Sequence, residues 1–168
     1  CMVPINGKPM LQYHVDALKK VKIGKIIVAC GYKWGEIKKH YGSSMSYAVE
    51  EEPLGTSGAV KNALDKIDGH EFIVINADDI TNVDFSRLAK TGSNATVVGL
   101  LKSPFGVVDI TDDKIMRFRE KPVLPHFVNI GVHLLNKSVK YLDKGSLEYD
   151  VLPKLATKGE LKAYKHTG

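Results

Sequence analysis

Residues 71–81 read EFIVINADDIT. Phe72, Ile73, Val74 and Ile75 form an unbroken, mostly β-branched apolar run. Such a run is too short and too uniform for an amphipathic helix, and it reads as a strand buried on both faces. The strand is read over residues 72–76. Working outward, a second run of this kind is KIIVAC at residues 25–30, closed by Gly31. Between such runs lie segments of helical period at residues 10–20, 34–41 (ending at Gly42) and 56–66. Residues 45–49 read as a strand that delivers Glu50, and residues 95–101 as a third buried strand. Alternation of strand and helix defines an α/β fold with a largely parallel sheet covered by helices. After residue 101 the rhythm changes. Residues 107–110 and 115–119 read as a hairpin turning at Asp112-Asp113, and residues 127–135 as another strand. These add antiparallel elements. Residues 137–142 and 149–157 read as helical, the latter limited or kinked by Pro153. Residues 161–164 read as a last strand. Without repeat or linker, residues 1–168 form a single domain.

Composition narrows the function classes. The chain is 43% hydrophobic and 26% charged, with a net charge of +5. Its basic residues occur as scattered helix-face pairs, Lys19-Lys20 and Lys38-Lys39, without a basic stripe interleaved with aromatics, so nucleic acid is not the expected partner. No apolar run reaches the roughly 18 residues a membrane span needs. Two cysteines, Cys1 and Cys30, make no disulfide framework, and the expected compartment is a reducing cytoplasm. Cys30, ending a strand, reads as a buried thiol. Neither a CxxC nor a histidine pair at metal spacing is present, which argues against structural zinc. The six histidines are scattered and read as structural or surface residues.

Two segments carry candidate chemistry. In PLGTSGA, residues 53–59, a strand passes into a helix. Gly55 and Gly58 would let backbone amides approach a ligand, the helix N-terminus would favour an anion or polar group, and Thr56 or Ser57 would cap the helix. Asp78 follows a buried strand, and ligands of open α/β sheets bind beyond the carboxyl ends of strands. Magnesium takes one or two protein carboxylates together with substrate phosphates and water, a role that suits Asp78. Asp79 is adjacent, but neighbouring carboxylates rarely face one point.

Taken in order, Glu50-x-x-x-Leu54-Gly55-Thr56-x-x-Ala59, Asn76-Ala77-Asp78, Gly106 in PFGVV, Glu120-Lys121-Pro122 and Val128-Asn129-Ile130-Gly131-Val132 resemble the sugar-phosphate nucleotidyltransferases. The resemblance spans the whole chain. It implies a Rossmann-like, three-layer, GT-A-like mixed sheet flanked by helices. It also implies in-line attack of a sugar 1-phosphate oxygen on the α-phosphorus of a nucleoside triphosphate, with pyrophosphate leaving and Mg²⁺ as cofactor. In nucleotide binding, Glu50 would read the base edge, with the Gly55 and Thr56 backbone closing on the base. Asp78 would hold the metal. Lys121 would neutralise the sugar phosphate, Glu120 would accept from sugar hydroxyls, Asn129 would hydrogen-bond the sugar, and Gly106 and Gly131 would give it room. A carboxylate at Glu50 suits the N–H groups of guanine, so GTP and mannose 1-phosphate or a similar sugar are favoured. Thymidylyl, uridylyl and cytidylyl transfer to glucose 1-phosphate stay open, as does a homo-oligomer. The alternative from another class is a non-catalytic paralogue that binds sugar nucleotides and regulates a partner.

The sequence departs from the family pattern at Ala77, where glycine is usual, and at Asp79, where an apolar residue is usual. Lys8, in INGKPML, follows the position of the family's Gly-rich motif and is not its catalytic lysine. That motif would precede Cys1, and a second metal carboxylate would follow Gly168. The resemblance therefore implies a working protein with more residues, an inactive 168-residue chain, and two buried strands that lack a central partner.

Overall fold

The computed structural model describes residues 1–21, 23–92 and 94–167. Three kinds of packing hold it together: a four-stranded sheet, a two-stranded parallel sheet, and helices that bridge them.

The chain opens with a small antiparallel ladder of β1 (Pro4–Ile5) and β2 (Lys8–Pro9). Its turn places Asn6 and Gly7 at positive φ, as a tight primed hairpin turn requires. Helix α1 (Met10–Lys19) follows, then β3 (Ile27–Cys30), α2 (Trp34–Tyr41), β4 (Ser46–Val49) and α3 (Gly55–Ala63). Strands β3 and β4 pair in parallel, Ile27 opposite Ser46 and Cys30 opposite Val49.

The larger sheet comprises β5 (Glu71–Ile75), β6 (Ala95–Lys102), β9 (Val123–Asn136) and β10 (Lys162–Lys165), in the order β10-β6-β9-β5. β10 runs parallel to β6, whereas β9 runs antiparallel to both of its neighbours. The sheet is therefore mixed, as expected, with β9 supplying the antiparallel element at its centre. Local alternation of elements does not specify which strand inserts where. Strands β7 (Val107–Thr111) and β8 (Lys114–Arg119) form the predicted hairpin, with Asp112 and Asp113 at positive φ in its turn.

Alternation along β9 sends its side chains to two cores. Val132 and Leu134 join Val97, Phe85 and Leu88 on one face. On the other, Leu135 packs with Val60, Leu147 and Val151. A third core, around Val15, Val28, Ile37 and Met45, underlies the small sheet. Helix α1 contributes to the first and third cores, through Ala17 and Leu18 on one side and Leu11 and Val15 on the other. It thereby ties the two sheets together.

The facing edges of β3 and β5 carry no strand partner among the described residues. Between them lies a cleft of about 550 Å³, lined by Ile27, Val28, Phe72, Val74, Leu11 and Val60. Most of its lining is apolar.

Three local predictions are corrected. Residues 137–142 are turns rather than helix. The Asn136 side chain accepts from the Ser138 amide at 2.9 Å and its hydroxyl at 2.8 Å, and the Lys137 amide donates to His70 O. This Asx turn diverts the backbone from helical pairing. Helix α4 (Phe85–Ala89) was not anticipated; Asp84 caps it by accepting from the Arg87 amide at 3.0 Å. The last helical segment starts earlier than predicted, as a π-helical turn Leu147–Val151 leading into α5 (Leu152–Thr157). Pro153 sits in the first turn of α5, where its missing N–H costs nothing.

Candidate functional site

Glu50 leaves the carboxyl end of β4, its amide donating to Cys30 O at 2.9 Å. Its side chain lies against Gly31, where a Cβ would come within 2.9 Å of Glu50 Cγ. The carboxylate reaches the start of α3 and accepts a long hydrogen bond, 3.4 Å, from the Leu54 amide. Glu50 thus stands where two parallel strands end and a helix begins, with its carboxylate at the positive end of the helix.

The glycines of PLGTSGA also have a packing role. Gly55 has φ +75°, and a Cβ there would lie 2.8 Å from the Gly145 carbonyl carbon. At Gly58 a Cβ would lie 3.2 Å from Lys144 Cα. Both glycines let α3 close on the chain around residues 143–146. Gly145 donates to Leu54 O and accepts from the Ser57 amide, each at 2.9 Å. The predicted cap also changes. Neither Thr56 nor Ser57 caps α3, whose N-cap residue is Leu54 without a side-chain bond. Instead the Thr56 hydroxyl donates to Glu148 at 3.0 Å and accepts from the Leu147 amide at 2.8 Å. Ser57, fully buried, accepts from the Asp143 amide at 3.1 Å.

Asp78 lies in the turn after β5 and is exposed. The neighbouring Asp79 raises the proton affinity of the buried His14 through its backbone and its charge, although burial outweighs this and holds His14 below the ordinary value of 6.5. An exposed hard-oxygen donor past a strand end fits Mg²⁺ completed by phosphate and water oxygens. Among the described residues no group of three or more His, Cys, Asp or Glu side chains forms a metal cage.

Gly131 has φ +70°, and a Cβ there would lie 2.6 Å from Asn76 Nδ2. The Asn76 amide donates to Gly131 O at 2.9 Å. The structure therefore brings Asn76, which opens the Asn76-Ala77-Asp78 turn, against Gly131, whose own amide donates to Asn129 Oδ1 at 3.0 Å. Gly106 and Glu120 also meet, since a Cβ at Gly106 would be 2.7 Å from Phe118 Cζ and 3.0 Å from Glu120 Oε2. Lys121 is exposed and holds φ +44°. That conformation is costly for a residue preceding proline and is the kind of strain that gathers at functional sites.

These two groups are not side by side. Val123, two residues after Lys121, pairs with Lys102, whereas Asn129 pairs with Val98. Four residues of β6 separate them, roughly 13 Å of strand. The Gly106–Glu120–Lys121 group lies beyond the carboxyl end of β6, and the Asn76–Asp78–Gly131 group at the carboxyl end of β5. Sequence order alone did not show this separation. Lys8 forms an ion pair with Asp16 on α1.

The nucleotidyl transferase family profile matches residues 1–164. Among relatives, D-glycero-alpha-D-manno-heptose 1-phosphate guanylyltransferase of Campylobacter jejuni is 34% identical over 148 residues, 82% of this chain and 66% of that protein. The enzyme of the same name from Aneurinibacillus thermoaerophilus is 32% identical over 170 residues, 91% of this chain and 74% of that one. Mannose-1-phosphate guanyltransferase of Yarrowia lipolytica is 32% identical over 190 residues, 99% of this chain but 52% of that protein. The crystal structure of HddC from Yersinia pseudotuberculosis complexed with GMP-PN superimposes with a TM-score of 0.76 at 29% identity, covering 98% of this chain and 80% of that one. The chain belongs to the sugar-phosphate nucleotidyltransferase family. It spans between about half and three quarters of the length of the relatives it matches.

Proposed function

We propose that the protein transfers a guanylyl group from GTP to a manno-configured sugar 1-phosphate, giving a GDP-sugar and pyrophosphate. The observation that carries this reading is the packing of the Asn76–Asp78 turn against Gly131, beside Asn129. In this reading Asp78 is the metal-ligating carboxylate and Asn129 the sugar-binding amide, close to one strand end. The named relatives support the base and the sugar configuration, since they are guanylyltransferases for mannose or manno-heptose phosphates.

In this reading the sugar phosphate oxygen, already ionised near neutral pH, attacks the α-phosphorus, and the bond to pyrophosphate breaks. No strong general base is needed. Positioning and charge neutralisation carry the rate. Glu50 accepts from guanine N–H groups, with the Gly55 and Thr56 backbone beside the base. Lys121 neutralises the sugar phosphate. Glu120 accepts from sugar hydroxyls, Asn129 donates to them, and Gly106 and Gly131 leave room for the ring. Asp78 would hold a Mg²⁺, which supplies charge neutralisation at the phosphates.

A thermal-shift screen with Mg²⁺ tests this, using GDP-mannose, GDP-manno-heptose, dTDP-glucose, UDP-glucose and CDP-glucose. Ligands that bind only the folded state raise the midpoint by mass action. The expected result is a shift with a GDP-sugar alone. A larger shift with a thymidylyl, uridylyl or cytidylyl sugar would overturn the guanine assignment.

A further inference from the structure

The geometry points to His133 and Thr96 as positioning residues that lock the Asn129 carboxamide with its NH₂ group turned outward toward a sugar hydroxyl. The inference rests on the reading of Asn129 as a sugar contact.

Strand β9 carries two extra residues at this point. Between Thr96 and Val98 on β6 the partners run from His133 to Asn129, two steps against four. The excess is taken up around Gly131 at φ +70°. Such a bulge re-aims a side chain, and here it folds Asn129 back over the ladder. Asn129 Oδ1 accepts from the Gly131 amide at 3.0 Å. A backbone N–H can only donate, so the atom that receives it is the oxygen, and this fixes which way the carboxamide faces. The same oxygen accepts from the Thr96 hydroxyl at 3.2 Å. Thr96 has one hydroxyl proton, and with that proton directed to Asn129 its oxygen is left to accept. Its other neighbour is His133 Nδ1, at 2.9 Å. His133 must then carry its proton on Nδ1.

The rest of the ring agrees. His133 is fully buried, and among the described residues its Nε2 has no hydrogen-bond partner. A neutral ring with its lone pair on Nε2 tolerates that site far better than an imidazolium with an orphaned N–H. Burial holds the His133 ring below its ordinary value, against the opposing pull of Glu148. The result is a directional chain: His133 Nδ1–H to Thr96, and Thr96 O–H to Asn129. The Thr96 hydroxyl and the Gly131 amide both donate to Oδ1, while the NH₂ of the exposed Asn129 is left for a ligand.

Calorimetric titration of the full chain with GDP-mannose and with GDP separates sugar from nucleotide contacts. Thr96→Val should weaken GDP-mannose about fivefold, the worth of one neutral hydrogen bond, and leave GDP unchanged. Thr96→Ser keeps the hydroxyl and should stay within about twofold of wild type. Asn129→Ala should lose as much as Thr96→Val, and the double variant should lose no more than Asn129→Ala alone. Nitrogen-15 NMR should show His133 protonated on Nδ1. Equal weakening of GDP and GDP-mannose by Thr96→Val would overturn the proposal. So would an intact GDP-mannose affinity in Thr96→Val when Asn129→Ala loses it, or a proton found on Nε2. If Asn129→Ala binds GDP-mannose normally, the sugar reading of Asn129 falls. The chain of bonds is then judged by the His133 tautomer and by the Asn129 side-chain amide resonances, which Thr96→Val must shift.

Discussion

At the scale of single residues, backbone conformation and side-chain freedom divide the site into parts that hold the fold and parts that face outward. Gly55 belongs to the first group. Its positive φ and its contact with the Gly145 backbone forbid a side chain for two separate reasons. Gly55→Ala should therefore destabilise by about 2–4 kcal/mol, strain and overpacking together. Gly7→Ala has strain but open space around it, and should cost only about 1 kcal/mol. Urea midpoints for the two variants check the difference, and equal losses would refute the packing account. Asp78 belongs to the outward group. Asp78→Asn should weaken Mg²⁺-dependent GTP binding about tenfold or more, by loss of a charged metal ligand. Asp79→Asn should change it little, and calorimetry with and without Mg²⁺ separates the two. The candidate site residues were read from the sequence as a set of positions matching the family pattern. The reason for the glycine at 55 was not, because its partner at Gly145 is 90 residues away along the chain.

At the scale of elements, α3 is held less by its own cap than by the turn at Leu147–Val151. The Thr56 hydroxyl serves the Leu147 amide and Glu148 at once. Thr56→Val keeps the shape and removes both bonds, leaving a helix-start amide unpaired, at a cost of about 1–3 kcal/mol. Thermal melts of Thr56→Val and Thr56→Ser check this, with the serine variant expected near wild type. Strands and helices with strong periodicity, such as α2 and the β7–β8 hairpin, appeared where the sequence put them. Helix α4 was missed because five residues are too few for periodicity to show, and only its Asp84 cap marked it. The segment at residues 137–142 has helical composition, but the Asn136 side chain competes for the backbone that a helix would need.

At the scale of the whole molecule, two buried histidines couple stability to pH. Burial lowers both His14 and His133 from 6.5, only partly offset by Asp79 and Glu148 respectively. A histidine with a depressed folded value binds protons more readily when unfolded. Stability is therefore full above pH 6.5 and falls as the pH drops below it toward the depressed values. Each histidine adds a slope of up to about 1.4 kcal/mol per pH unit in that window. Denaturant unfolding between pH 8 and pH 5 should show this fall, and His133→Asn should flatten it. A profile that is level through this range would refute the linkage. The sequence by itself determined the α/β class, the mixed sheet, the core strands and the hairpin, because burial patterns and turn chemistry are local. Only the tertiary structure decided that β9 inserts between β6 and β5 and that β3 and β5 face each other across an apolar cleft. It alone decided that the Lys121 and Asn129 groups stand apart along β6, and that His133 reaches Asn129 through Thr96. Each depends on strand order and register, which join residues remote in the chain, and no local pattern encodes them.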